Sequence, residues 1–405
     1  MLAPERRTRA DLIAALLLAV AVVAAASVVW LRSDARGTVS VTTDAAPEAP
    51  AAATAVPSTL TEAWRAPSDA TYRPIAVGGV VVTGDGGTVT GRALDSGAEL
   101  WRYGRDMPLC GVVEDWRTAV AVYRDQRGCS QVTQLVPDSG MRGAQRSSDA
   151  DDAVTLTAAD THVISRGDTR LELWRSDLVR TLEYGRVDAP VVPGAQPRNG
   201  CTLRSAAASS TRLAVVERCP GEEADRLTLL ETTPEADSQP KEIASSVLPE
   251  LGPDDMGTRV VAVSGERTVL YLPPTASSGP VLAGYDAAGT LTARHPLSAA
   301  ATPDAVFPAA VQGSFLTWWS GTETVALGGD DLVPRWTLPG TTGTGAAMAG
   351  ALLLPVRDAL AVVEPATGAV QGRIPVVRDE AGVVNVAVAG TSVLEQRGPQ
   401  VVVLR

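Results

Sequence analysis

The hydrophobic pattern divides the chain into one long apolar run, a polar stretch and a series of short apolar runs. Leu12 to Leu31 contains twenty residues without a charge. At about 1.5 Å of rise per residue, such a helix covers the roughly 30 Å hydrocarbon core of a bilayer. The sequence therefore predicts one transmembrane helix over residues 12–31.

Basic residues lie on both sides of this run and indicate its orientation. Three arginines precede it within residues 1–11, and Arg32 and Arg36 follow it. Because the denser cluster marks the cytoplasmic side, we expect a short cytoplasmic tail over 1–11 in a single-pass protein of the cytoplasmic membrane. A cleaved signal peptide is the competing interpretation, although its apolar region is typically about 7–15 residues. Either way, the chain beyond about residue 33 is placed outside the cytoplasm.

Residues 32–59 are rich in alanine, proline and threonine and carry few large apolar side chains. Such a composition is typical of a linker. The sequence therefore predicts a linker between the membrane helix and the remainder of the chain.

From residue 60 to 405, short runs of valine, leucine, isoleucine and threonine alternate with clusters of glycine, aspartate, serine and proline. This alternation is typical of β-strands joined by tight turns. The clearest unit is residues 72–103, in which turns at Asp85-Gly86 and Ser96-Gly97 help to divide the segment into four strands. Four antiparallel strands make one blade of a β-propeller.

The same unit recurs along the chain, with first strands that begin near residues 75, 111, 153, 203, 259, 309, 346 and 384. The mean spacing is about 44 residues, as in propellers. The pattern predicts an all-β fold, an eight-bladed β-propeller of four-stranded antiparallel blades over 60–405. Seven blades are the alternative, because long insertions blur the units between residues 187 and 258.

The last unit contains about three strands, so its fourth strand must come from elsewhere in the chain. Leu60 to Arg65 can supply it, with Trp64 in the position that Trp101 has in the first blade. Pairing the first and last segments removes two exposed sheet edges. We therefore expect the ring to close in this way.

Four cysteines give an independent test of the repeat. Cys110 and Cys129 are 19 positions apart, and Cys201 and Cys219 are 18 apart. In each pair, the first cysteine begins a blade's first strand and the second lies just past the end of its second strand. We therefore predict the disulfides Cys110–Cys129 and Cys201–Cys219, which suit an oxidising compartment. A metal site is the weaker alternative, because no CxxC motif occurs.

Charge and motifs exclude several kinds of function. The net charge is −11 and the isoelectric point is about 4.9, so nucleic-acid binding is disfavoured. The chain has no G-x-S-x-G motif, and its two histidines, His162 and His295, are predicted to lie in strands as structural residues. We predict no catalytic, cofactor-binding or metal-binding residue, and no enzymatic activity.

Two further groups receive a structural interpretation. The acidic cluster Asp149, Asp151 and Asp152 lacks the pattern of a calcium loop, so we interpret it as a solvated loop between blades. Trp318 and Trp319 are adjacent and point to opposite faces of a strand. Core packing is the predicted role of both rings.

One segment resembles a known family motif. Ala93 to Trp101 reads ALDSGAELW and resembles the A-x-D-x-x-T-G-x-x-x-W motif of the pyrroloquinoline-quinone (PQQ) propeller repeat family, with two residues deleted and serine for threonine. A degenerate second copy has glycine in place of the tryptophan and consists of Val362, Glu364, Thr367, Gly368 and Gly372.

The resemblance implies an eight-bladed ring and two functional kinds of protein. Quinone-dependent dehydrogenases of the family carry a disulfide between adjacent cysteines and a calcium site of Glu, Asn and Asp. This chain has no Cys-Cys pair, and Asn199 and Asn385 are its only asparagines. It is more similar to the cofactor-free scaffolds, such as the propeller lipoprotein of the outer-membrane barrel-assembly machinery.

The sequence thus predicts a non-enzymatic scaffold, tethered to the membrane, that binds envelope or membrane proteins or wall polymers. The alternative is an enzyme, PQQ-dependent or other, that uses the central channel. Abundant alanine, valine, glycine and arginine with a single lysine, Lys241, indicate a bacterium with a GC-rich genome.

Overall fold

The computed structural model describes residues 8–248, 251, 257–379 and 382–405. A helix, α1 (Arg9–Arg32), begins at Thr8, whose side chain accepts a hydrogen bond from the Asp11 N–H in a capping box. Its described side chains are exposed along the whole length. The helix is long and apolar enough to span a membrane, as predicted for 12–31. The first seven residues, with two of the tail arginines, lie outside the described residues.

The strands form eight antiparallel sheets, each a four-stranded blade, and the sheet of blade 1 carries β1 as a fifth strand. After the 3₁₀ turn Asp34–Gly37, strand β1 (Val39–Val41) joins blade 1, and β2 (Glu62–Pro67) joins blade 8. The strands of blades 1 to 4 are β3 (Ile75–Val77), β4 (Val80–Asp85), β5 (Thr88–Ala93), β6 (Glu99–Gly104); β7 (Leu109–Asp115), β8 (Thr118–Asp125), β9 (Gly128–Leu135), β10 (Arg142–Ser147); β11 (Thr155–Ala159), β12 (His162–Arg166), β13 (Arg170–Trp174), β14 (Arg180–Gly185); β15 (Thr202–Ala208), β16 (Arg212–Arg218), β17 (Arg226–Glu231) and β18 (Glu242–Val247).

Blades 5 to 8 follow the same order along the chain. Their strands are β19 (Arg259–Ser264), β20 (Arg267–Leu272), β21 (Val281–Tyr285), β22 (Leu291–Pro296); β23 (Ala310–Gln312), β24 (Phe315–Trp319), β25 (Glu323–Gly328), β26 (Pro334–Pro339); β27 (Ala346–Met348), β28 (Ala351–Val356), β29 (Ala359–Val363), β30 (Val370–Pro375); β31 (Val384–Ala389), β32 (Ser392–Arg397) and β33 (Gln400–Leu404). The eight first strands begin within two residues of the predicted positions. The eight-bladed propeller is confirmed, and the seven-bladed alternative is wrong.

The ring closes as predicted, between β2 and the last strand. Strand β2 pairs antiparallel with β33, with Trp64 opposite Val403. The Thr61 and Arg405 backbones also exchange two hydrogen bonds of 2.7 and 2.9 Å. First strands of neighbouring blades contact one another, for example β7 with β11 and β27 with β31. They therefore surround the axis of the ring.

Because the chain reverses direction between consecutive strands of a blade, the ring has two different faces. On the turn face lie the turns from first to second and from third to fourth strands; in blade 1, the Leu94 N–H donates to the Gly79 carbonyl at 2.9 Å. On the connection face lie the turns from second to third strands and the links between blades. There the Arg105 N–H donates to the Gly87 carbonyl at 3.0 Å.

Part of the stretch predicted as a linker lies on the propeller. Strand β1 pairs antiparallel with β6, the outer strand of blade 1. The strap, residues 42–57, then crosses the turn face: the Thr43 N–H donates to the Ser139 carbonyl at 3.0 Å. Farther along, the strap lies against Gly79 and Gly390, and its Val56 packs on the core of blades 7 and 8. The strap therefore contacts blades 1, 2, 7 and 8.

Tryptophans connect one blade to the next. Trp64, on β2, donates its indole N–H to the Leu94 carbonyl at 3.0 Å, and its ring lies against Gly97, which has a φ of 72°. The same arrangement joins Trp101 to Pro137 and Gly140, and Trp336 to Pro365 and Gly368. The sequence motif contains a turn and a tryptophan of the same blade, but each of these rings contacts the turn of the following blade.

Both predicted disulfides are present. Cys201–Cys219 joins the residues that flank the β15–β16 hairpin, with 4.1 Å between Cα atoms. Cys110–Cys129 has a Cα separation of 5.9 Å and links the first strand of blade 2 to the start of its third strand. Cys110–Cys129 therefore does not close a simple hairpin, because the β8–β9 turn is short and Cys129 already belongs to β9.

A buried ionic cluster joins blades 2 and 3. The Glu172 carboxylate accepts hydrogen bonds from Arg170 (2.8 Å), the Trp174 indole (2.9 Å) and the Ser148 hydroxyl (2.5 Å), and pairs with Arg146 at 3.1 Å. Only 5% of the Glu172 side chain is exposed. Since a buried charge is costly unless it is paired, loss of any one member of this cluster should destabilise the fold.

Candidate functional site

The first strands enclose a chamber on the axis of the ring. Its volume is about 440 Å³, and it is lined by first-strand residues of blades 1, 2, 3, 6 and 8. Most of the wall is apolar and includes Val112, Leu156, Ala310 and Val388. Short strands of small and β-branched residues leave this space because few of their side chains are long enough to fill it.

Two aromatic rings separate the chamber from a second space. Tyr72 and Phe307 stack with centroids 3.2 Å apart and planes at 22°. Beyond them a funnel of about 810 Å³ opens on the connection face, between the links that precede blades 1, 6 and 8. Tyr72 and Phe307 line both spaces, so the stacked pair forms the floor of the chamber.

Polar side chains of blade 8 hold this floor. The Asn385 side-chain amide donates to the Tyr72 carbonyl at 2.9 Å, and its oxygen accepts from the Thr344 N–H at 3.0 Å. The Gln396 oxygen accepts from the Thr71 hydroxyl at 2.7 Å. Burial raises the pKa of Tyr72 to about 12, so its hydroxyl is neutral at physiological pH.

Arg73 places a positive charge inside the chamber. Within the part of the chain that the structure describes, its guanidinium makes no hydrogen bond and no ion pair. Burial lowers the pKa of Arg73 from its usual value, while the nearby Tyr72 and Glu114 act in the opposite direction. The charge is therefore partly desolvated without a bound partner.

Three carboxylates surround the mouth of the chamber on the turn face. Glu114 and Asp115 end β7, and Asp160 lies in the turn after β11. Burial raises the pKa of Asp115 to about 6; the Trp116 N–H opposes this shift, and the carboxylates of Glu114 and Asp160 add to it. The mouth is thus acidic while the interior is basic.

The residues considered from sequence lie elsewhere. His162 is buried in β12, with its Nδ1 atom 3.0 Å from the Thr161 hydroxyl, and burial lowers its pKa. His295 lies in β22, as expected for a strand residue. Trp318 and Trp319 are both buried, as predicted.

The acidic cluster is an interblade loop, but one member is not simply solvated. Asp149 and Asp152 are exposed, whereas Asp151 accepts hydrogen bonds from the Thr169 N–H at 2.7 Å and the Thr169 hydroxyl at 2.6 Å. Burial acts to raise the pKa of Asp151, but these bonds and those from Arg170 and Arg186 lower it. Asp151 therefore fastens the loop to blade 3.

One cluster has the residue types of a metal site. Ligand atoms of Cys201, Glu217 and Cys219 lie within 4.8 Å of one another. The two sulfur atoms are bonded to each other, so neither can act as a thiolate ligand. Glu217 instead accepts hydrogen bonds from Tyr184 and Thr228.

The chamber residues escaped prediction from sequence. Tyr72 and Arg73 precede β3, and Phe307 lies in the link between β22 and β23, so no spacing connects them. One signal was available: the chain has only two phenylalanines, and Phe307 lies outside the strands, in a link between blades.

Comparisons with known proteins show the fold. No protein-family model matches the chain, and no curated protein matches it. The crystal structure of BamB from Moraxella catarrhalis is 14% identical, covers 86% of this chain and 98% of that one, and has a TM-score of 0.50. The computationally designed Ika8 protein is 13% identical, with coverage of 88% and 99% and a TM-score of 0.53. At these identities the likeness supports the propeller architecture, and the quinoprotein-like branch stays a hypothesis from the sequence motif.

Proposed function

We propose that the protein is a non-enzymatic scaffold, anchored in the cytoplasmic membrane, that binds envelope or membrane proteins through the connection face of its propeller. The observation that carries the proposal is that exposed valines and the membrane helix lie on the same face. The apolar length of α1 and the two disulfides support a single-pass topology with the propeller outside the cytoplasm.

The helix reaches the ring at the connection face. The residues that end α1 and follow it lie beside the link at 105–107, and Gly37 lies against Asp106. Strand β1 then begins opposite Gly104. Residues 33–38 can span at most about 20 Å when fully extended. The connection face is therefore held close to the bilayer, where membrane proteins can reach it.

Apolar side chains project from the links on this face. Val377 is 88% exposed, Val191 is 78% exposed and Val306 is 50% exposed. Val306 also lines the 810 Å³ funnel. Exposed apolar groups around a concave surface are typical of protein-binding sites. Interblade links vary without cost to the sheets, which suits a binding surface. Wall polymers are the alternative partner.

Photo-crosslinking in native membranes tests this proposal. A photoreactive amino acid at Val377 or Val306 should capture the same membrane or envelope protein, identified by mass spectrometry and by reciprocal purification. Val370 is the matched control, because it is 44% exposed in the same blade 7 but begins β30 at the turn face. Equal capture from Val370, or none from Val377 and Val306, contradicts the proposal.

A further inference from the structure

The chamber combines three features that the scaffold function does not use. It is a space of about 440 Å³, at the lower end of the range of small-molecule sites, about 300–1,000 Å³. It is closed toward the connection face by the Tyr72–Phe307 stack. Its mouth and its interior carry opposite charges. A ligand of the chamber must match all three features.

The interior favours a carboxylate. Arg73 offers five N–H donors in a planar fork, and no described residue accepts from them. A carboxylate matches this fork with two parallel hydrogen bonds. It would also compensate a charge that the fold has partly removed from water.

The mouth favours a cation. Glu114, Asp115 and Asp160 would repel a simple anion and attract an ammonium group. A simple cation could satisfy the mouth but would leave Arg73 without a partner. Only a ligand with both charges, separated by an apolar body along the wall formed by Val112 and Leu156, satisfies both ends.

We propose that the chamber binds a short peptide with free ends, its C-terminal carboxylate on Arg73 and its N-terminal ammonium group at Glu114, Asp115 and Asp160. The ligand enters from the turn face and rests on the Tyr72–Phe307 pair. This site is independent of the connection face, so its absence would leave the scaffold proposal untouched.

The test uses full-length protein in detergent and trialanine as the probe, with binding measured by isothermal titration calorimetry. Trialanine should bind at least tenfold more tightly than its C-terminal amide, the loss expected for a charge-assisted pair. N-acetyl-trialanine should also bind more weakly, because it lacks the ammonium group. Free alanine tests the separation of the two charges: it should bind more weakly than trialanine, because its ammonium and carboxylate groups lie too close together to reach both ends of the chamber, and equal or tighter binding of alanine contradicts the proposal.

Variants connect the binding to the chamber. Arg73→Gln should weaken trialanine binding at least tenfold, and Arg73→Lys should keep part of it. Arg267→Gln is the matched control, since Arg267 is exposed at the turn of blade 5 and should leave affinity unchanged. Circular dichroism reports whether each variant folds. If Arg73→Gln does not fold, the comparison of trialanine with its amide in the wild-type protein still tests whether the carboxylate is bound.

Any of four further results overturns the proposal: no binding of trialanine at millimolar concentration, equal binding of the amide, unchanged binding by folded Arg73→Gln, or equal binding of the acetylated peptide. In the last case the carboxylates at the mouth would have no role.

Affinity should also depend on pH. The charged groups that face Asp115 are Glu114 on its own strand and Asp160 in blade 3, with Arg117 beside Glu114. Because the pKa of Asp115 is about 6, trialanine affinity should rise between pH 5 and pH 7 as this carboxyl ionises. Asp115→Asn should flatten that rise.

Discussion

The contact between Trp64 and Gly97 gives a quantitative test of how blade 8 is fastened to blade 1. Gly97 has a φ of 72°, and a Cβ atom there would lie 2.7 Å from the Trp64 ring. Gly86, in the same blade, has a φ of 58° and nothing within 4 Å of such an atom. Alanine at either position thus carries the same backbone cost, but only alanine at Gly97 collides with a neighbouring side chain, the Trp64 ring.

The expected magnitudes follow from these contacts. Gly86→Ala should destabilise the fold by about 1–2 kcal/mol, the cost of a left-handed backbone for an L residue. Gly97→Ala adds overpacking of about 1–3 kcal/mol. If the ring shifts, the indole bond to the Leu94 carbonyl is also lost, at about 0.5–1.5 kcal/mol. The difference between the variants should therefore be about 1–3 kcal/mol if the ring stays in place and about 1.5–4.5 kcal/mol if the indole bond is lost as well.

Urea unfolding of the purified full-length variants, followed by tryptophan fluorescence, measures this difference. Repeating Gly97→Ala in a Trp64→Leu background should reduce its excess cost, since the smaller side chain leaves room for the new methyl group. If Gly97→Ala destabilises the protein no more than Gly86→Ala, the ring does not rest on Gly97 and the proposed fastening is incorrect.

Three further predictions use the same unfolding measurement. Glu172→Gln should cost about 3–5 kcal/mol, because it leaves buried arginines without their counter-charge. Asp177→Asn should cost much less, because its ion pair with Arg175 is exposed to solvent; similar losses from the two variants would contradict the importance of burial. Burial acts to raise the pKa of Glu172, but the arginines around it lower that pKa overall. The contribution of this carboxylate to the free energy of unfolding is therefore complete above the unfolded pKa of about 4.3 and is lost as pH falls through the folded pKa. Glu172→Gln should lack this part of the loss of stability in acid. Replacing Cys201 and Cys219 by serine should cost about 3 kcal/mol for a loop of this length, and an unchanged midpoint would show that the bond does not form.

Much of the architecture could be predicted because it depends on residue types and spacings that are visible in the sequence. Alternation of valine-rich runs with glycine turns located all eight first strands. The shared position of Trp64 and Trp101 located the closing strand. Cysteine spacing gave both bonds, although Cys129 proved to lie on the third strand, a detail that depends on the length of one turn.

The remaining features depend on contacts that no local pattern records. The strap is held largely by backbone groups and small side chains. Its composition is therefore typical of a linker and does not predict that it contacts the propeller. Each tryptophan acts on the following blade, a relation that a single-blade motif cannot contain. The chamber gathers Arg73, Glu114 and Phe307 from three separate links and strands, which only the closed ring brings together.

Closure by β2 has a consequence for the order of assembly. The partners Thr61 and Arg405 are 344 positions apart, so strand β2, which completes blade 8, must wait unpaired until the last strand of the domain has been synthesised. Blades 2 and 4 can meanwhile form their own disulfides, since each joins cysteines fewer than twenty positions apart. Such long-range pairing is slow and leaves open edges exposed to aggregation. The pairing of β33 with β2 is therefore the step at which folding factors would matter most.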